Sequence, residues 1–116
     1  MIFKQKEIWL VPFPYSDFNK EKKRPVLIIS QNEYNKTSKD ILVCQITTKF
    51  KNNKYSAKVE EIDLEYGSLP YSSEIRCDKI NVLSKDLFIR KFSKINCSKY
   101  DECFEKISFL LSSGIK

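Results

Sequence analysis

Only three of the 21 basic residues are arginines, at positions 24, 76 and 90. Arg24 follows Lys20-Glu21-Lys22-Lys23 and opens Arg24-Pro25-Val26-Leu27-Ile28-Ile29-Ser30, an unbroken β-branched run that reads as a strand buried on both faces. Thr47-Thr48-Lys49 ends a second such run, Ile41 to Thr47. If the two strands are neighbours, a guanidinium, two hydroxyls and several ammonium groups meet on one rim. That set suits phosphate, because arginine presents a planar fork matched to phosphate oxygens. A plainer reading also fits: Arg24 pairs with a nearby carboxylate and the threonines satisfy strand-end carbonyls.

Other chemistries are harder to build. The chain has no histidine, which removes the commonest general base. Its four cysteines, at 44, 77, 97 and 103, form no Cys-x-x-Cys pair, so no structural zinc site is expected. Cys44 and Cys103 fall in apolar periodic stretches and read as buried, reduced thiols. Arg76 and Asp78 lie two apart on one strand and so share a face, which suggests a structural or interface ion pair.

The elements that must position these residues follow from the rest of the chain. At 116 residues it fits a single domain, 1–116, and 41% apolar content with eight Phe, six Tyr and one Trp is enough for a core. A membrane span needs about 20 apolar residues in a row, and no such run occurs. The N-terminal residues lack the apolar stretch of a secretory leader, so a cytoplasmic location is expected. The net charge of +6 favours polyanionic partners, nucleic acid or an acidic protein.

Strands are expected at Glu7–Phe13 (with Pro12 at an edge or bulge), Arg24–Ser30, Ile41–Thr47, Ala57–Ile62, Glu74–Val82 and Phe88–Ile95. Polar connections fill 14–23 and 48–56, a loop or short helical turn fills 32–40, and 66–70 reads as a turn. Ser84 is placed to cap a turn at 85–87. Tyr100, Cys103, Phe104, Ile107, Leu110 and Leu111 form one helical face, with Ser98 as its expected cap and Gly114 as its stop. Trp9, Phe13, Phe88 and Phe92 read as core or subunit contact, and Cys97 as packing. The fold class is mainly β with one terminal α-helix, a small curved barrel.

Several of these stretches, in order, resemble the MazF/PemK toxin family. They are Glu7 to Phe13, Arg24-Pro25 with its β-branched run, Tyr34-Asn35-Lys36-Thr37, Ile46-Thr47-Thr48-Lys49 and Ser73 to Ile80. The match runs over nearly the whole chain. It departs at Lys6-Glu7, where the family has a glycine before the acidic residue, and in a first loop without glycine, residues 16–23.

The resemblance implies an SH3-like barrel of the MazF/CcdB type that forms a homodimer. It implies a metal-independent, cofactor-free endoribonuclease that cuts single-stranded RNA at short sequences and is neutralised by a cognate antitoxin. By the same resemblance the catalytic pair falls on Arg24 and Thr47. Tyr15 and Phe18 become stacking candidates, and Lys22, Lys23, Thr48 and Lys49 candidates for the RNA backbone, with Lys51 read rather as part of a solvated loop. Asp17, Glu21 and Asp78 are possible proton acceptors by type. The competing reading is a binding protein on the same fold, a gyrase-poison-like toxin or an interaction module that cuts nothing.

Overall fold

Val26, Leu27 and Ile28 are all fully buried, which requires a strand with cover on both faces. The computed structural model, which describes residues 1–13 and 22–114, places them in β2 (Lys22–Ile28) at the middle of one seven-stranded antiparallel sheet. β2 lies between β1 (Glu7–Phe13) and β3 (Asp40–Thr47). Beyond β3 come β6 (Ser73–Ser84) and then β4 (Ser56–Val59). Beyond β1 come β7 (Arg90–Ile95) and then β5 (Leu64–Gly67). The result is a curled half-barrel whose two edges are β4 and β5.

The sheet separates two clusters of buried side chains. On one face α2 (Cys97–Leu111) sets Tyr100, Cys103 and Ile107 against Leu27, Cys44, Ile46 and Ile75. On the other, Phe3, Trp9 and Phe88 make an aromatic trio with centroids 4.8, 5.0 and 5.8 Å apart, over Val11, Val26 and Val43. Glu7, itself buried, anchors the trio: its carboxylate accepts bonds from the Lys4 N–H at 2.9 Å, the Trp9 indole at 2.9 Å and the Lys91 ammonium at 3.2 Å.

Several boundaries differ from those the sequence suggests. β2 starts two residues earlier than Arg24 and stops at Ile28, so Arg24 sits inside the strand. The strand expected over 57–62 ends at Val59, because residues 61–63 wind into a single 3-10 turn. Part of the 66–70 turn is instead β5, and Gly67 is required there: at φ +76° a Cβ would lie 2.4 Å from the Phe92 carbonyl oxygen. Residues 32–37 form a short helix, α1 (Asn32–Thr37), and Ser84 caps the 85–87 turn by accepting the Asp86 N–H.

α2 is capped by Asn96 rather than Ser98, since the Asn96 carboxamide accepts the Lys99 N–H at 2.8 Å. It stops at Ser112, and Gly114 follows at φ +75°. Its buried stripe is narrower than the apolar one, for Phe104 stays more than half exposed. Cys97 is exposed instead of packed, and its Sγ accepts from the Lys6 ammonium at 3.1 Å.

Leu27 joins the sheet to the α2 cluster with no exposed surface. Leu27→Ala is expected to cost about 2–5 kcal/mol through lost transfer energy and an unfilled cavity. Urea unfolding should show a lower midpoint at an unchanged slope.

Candidate active site

β2 and β3 are paired through Val26↔Gln45, Leu27↔Cys44 and Ile28↔Val43. The next residue back on β2 is Pro25, which has no N–H to give a ladder. The pairing stops there. The same register carried on two residues sets Arg24 across from Thr47, at the point where the strands are free to part.

The flanking strands continue past this point. β1 stays with β2 through Val11↔Arg24, and β6 stays with β3 through Thr47↔Glu74 and Gln45↔Arg76. β4 adds Lys58↔Glu74 and Ser56↔Arg76. Residues opposed across an antiparallel pair share a face. One row therefore reads Val11, Arg24, Thr47, Glu74, Lys58, and the next reads Trp9, Val26, Gln45, Arg76, Ser56. Both lie on the face opposite α2, where the aromatic cluster gives way to polar side chains.

The polar groups in these rows are engaged in specific ways. The Thr47 hydroxyl oxygen accepts the Lys49 N–H at 3.0 Å. Glu74 is buried, with its carboxylate accepting the N–H groups of Lys51 at 2.9 Å and Asn52 at 3.2 Å. The Gln45 carboxamide donates to the Asn81 side chain at 3.0 Å. Arg76 grips both oxygens of Asp78 at 3.1 Å each, the ion pair that the i, i+2 spacing suggested. Three residues, Cys77, Asp78 and Lys79, are accommodated in β6 between the partners of Cys44 and Gln45, and this bulge brings Asp78 back onto Arg76. The Arg76 hydrogen bonds hold the Asp78 carboxyl below its ordinary value, which makes it a weak proton acceptor.

Arg24 is half-buried, with its Nε sealed from solvent, while Lys23, Thr48, Lys49 and Lys51 are exposed along the rim. Lys22 falls in β2. Tyr15 and Phe18, and with them Asp17 and Glu21, lie outside the described residues. Sequence reasoning passed over Gln45 and Glu74. The two-residue period that links Arg76 to Asp78 also links Glu74 to Arg76, and it was the available signal.

The buried cysteines belong to the opposite face. Burial pushes the Cys44 thiol well up, and a hydrogen bond with Cys103 holds Cys77 down while raising Cys103. Among the described residues no three His, Cys, Asp or Glu side chains are grouped to hold a metal ion.

A family model described as PemK-like, MazF-like toxin of type II toxin-antitoxin systems matches residues 4–111 of this chain. No curated protein sequence matches it significantly. Solved structures share the fold. A mycobacterial endoribonuclease in complex with its cognate antitoxin gives a TM-score of 0.80 at 16% identity, over 98% of this chain and 99% of that one. The Mycobacterium tuberculosis toxin MazF-mt6 gives 0.75 at 20% identity, over 91% and 98%. MazE-MazF from Deinococcus radiodurans gives 0.77 at 16% identity, over 98% and 99%.

The Arg76–Asp78 pair sets a pH dependence. Because the folded Asp78 carboxyl titrates below its unfolded value, the stabilisation is complete above about pH 4 and is lost as pH falls through the folded value. The pair is partly exposed, so its contribution is about 0.2–1 kcal/mol. Asp78→Asn should melt lower than the wild type at pH 7, with the two melting points converging towards pH 2.

Proposed function

The chain belongs to the PemK-like, MazF-like toxins of type II toxin–antitoxin systems, and from that premise we propose that it is an endoribonuclease acting on single-stranded RNA, mRNA above all, at short sequences. The reading rests on one observation: the β2–β3 register ends at Val26↔Gln45, and carried two residues further it sets Arg24 and Thr47 in one row on one face. The endoribonuclease with its cognate antitoxin, at 16% identity, gives the fold a precedent for this activity.

The chemistry suited to these groups needs no metal. The 2′-OH of the RNA attacks the adjacent phosphorus, the bond to the 5′-oxygen breaks, and the products are a cyclic phosphate and a 5′-OH. One proton leaves the attacking hydroxyl and one reaches the departing oxygen. Arg24 is permanently cationic and planar, and it stabilises the charge that builds on the non-bridging oxygens. The Thr47 hydroxyl donates to one of those oxygens or orients the 2′-OH.

Lys22, Lys23, Thr48 and Lys49 follow the backbone, and Tyr15 and Phe18 stack bases. The toxin works as a homodimer in the cytoplasm, and an acidic antitoxin segment covers the same basic rim. Among the described residues no helix is long and apolar enough to cross a membrane.

Purified protein incubated in EDTA with a long single-stranded RNA should yield discrete fragments with 5′-OH ends. Arg24→Ala should slow cleavage by about 10²–10³-fold, as loss of a charge-stabilising donor does elsewhere. Thr47→Ala should follow it in direction, both with near-native far-UV spectra. Intact RNA from folded wild-type protein would overturn the nuclease and leave the gyrase-poison-like reading. Loss of cleavage on chelation alone would overturn the metal-free route. Affinity for RNA should fall as salt rises, with a log–log slope of roughly −0.7 per phosphate neutralised.

A further inference from the structure

A carboxylate beside a phosphate site is out of place unless its charge is taken up elsewhere. Glu74 is such a group: it stands next to Thr47 in the β3–β6 register and is only 3% exposed. Its two oxygens turn to the loop that follows Thr47, accepting the N–H groups of Lys51 and Asn52. Two successive N–H groups thus converge on one anion, and Asn52 takes a left-handed φ of +52° at that point of the loop. At its other end the loop is tied to Thr47 itself by the Lys49 N–H.

We infer that Glu74 is a positioning residue for the proposed RNA-cleaving site, holding residues 48–53 so that the Lys49 N–H fills the acceptor side of the Thr47 hydroxyl and leaves its proton to be donated to RNA. This rests on the nuclease reading above. A hydroxyl has one proton and two lone pairs. Once an N–H points at the oxygen, the hydroxyl proton turns away from that N–H. The two ties act in series, since the segment between Lys49 and Lys51 cannot drift while both hold. A carboxylate is needed at 74 because two convergent donors need two acceptors. Glutamine would supply one oxygen and set an NH₂ against the other N–H, and aspartate would fall a methylene short.

The test uses the full-length protein. Amide hydrogen exchange, melting temperature and steady-state cleavage of a fluorophore-labelled single-stranded RNA are compared between wild type and Glu74→Gln. Exchange at Lys51 and Asn52 should accelerate at least about tenfold, in proportion to the loss of a charge-assisted bond, with the β2–β3 and β3–β6 ladders unchanged. The kcat should fall about tenfold, because misorienting a reacting group by a fraction of an ångström has that scale of effect. KM should stay within about threefold, since exposed lysines attract a backbone without fixed geometry.

Unchanged exchange, or faster exchange with unchanged kcat, overturns the inference while the nuclease stands. RNA left intact by the wild type, with Lys51 and Asn52 still protected, overturns the nuclease and removes the positioning role with it. If Glu74→Gln melts below the assay temperature, Glu74→Asp carries the same comparison, and collapse of both would make Glu74 a residue of the fold alone.

Discussion

A central strand has to satisfy its N–H and C=O groups along both edges, and Pro25 has no N–H to offer. β2 is therefore fully paired on one side, with β1, and only briefly paired on the other, from Val26 to Ile28. Pro12 repeats the arrangement one strand over: it still pairs with Lys23, but the ladder from β1 to β7 has ended at Leu10. The two prolines lie at the same end of the sheet. There the β1–β2 ribbon runs on past the last β2–β3 and β1–β7 pairs, and the β2–β3 register carried past Val26↔Gln45 sets Arg24 opposite Thr47. An ordinary residue at 25 would have an N–H to carry the β2–β3 ladder on towards Arg24 and Thr47.

β6 carries the second constraint. Its lower half pairs with both β3 and β4, and its upper half with β3 alone. The bulge at 77–79 joins two registers in one strand, and it serves both faces of the sheet. Cys77 drops into the α2 cluster, while Arg76 closes on Asp78 on the far side. Gln45 reaches over the bulge to Asn81. The row that holds Thr47 is thus backed by a packed core beneath and braced laterally by short polar ties. Such bracing keeps side chains in one arrangement, and a site that depends on alignment needs that.

What was legible in the sequence follows from how each signal arises. Unbroken β-branched runs announced β2 and β3, because two-sided burial leaves no polar positions to interrupt them. The i, i+3, i+4 spacing announced α2, although nothing in it said that Asn96 would outcompete Ser98 for the cap. β5 was hidden: four residues with one partly buried side chain carry no period, and Gly67 looked like a turn when its role is close passage against β7. Arg24 and Thr47 stood out as residues, but whether two strand ends come together depends on register, which pattern alone does not specify. Glu74 was hidden for a different reason. Its partners are backbone N–H groups in a loop, and backbone partners leave no trace in residue types.

The commitments of the acidic groups bear on how the site can work. Glu74 is held by loop amides, Asp78 by a guanidinium, and Glu7 by an indole, an amide and an ammonium on the aromatic side. Each is engaged by its neighbours, and for Asp78 the Arg76 hydrogen bonds hold the carboxyl below its ordinary value, so that it has little tendency to take up a proton. Facing the row instead are a guanidinium, a hydroxyl and a carboxamide, groups that bind phosphate oxygens firmly and exchange protons poorly near neutral pH. On the endoribonuclease reading proposed above, Arg24 and Thr47 would contribute through charge and alignment, worth about 3–4 kcal/mol for a well-aimed donor. That places the demand on rigidity. On that reading a donor aimed by a braced strand end and a stapled loop acts only if both stay in place, and the prolines, the β6 bulge and the loop ties would serve the chemistry as well as the fold.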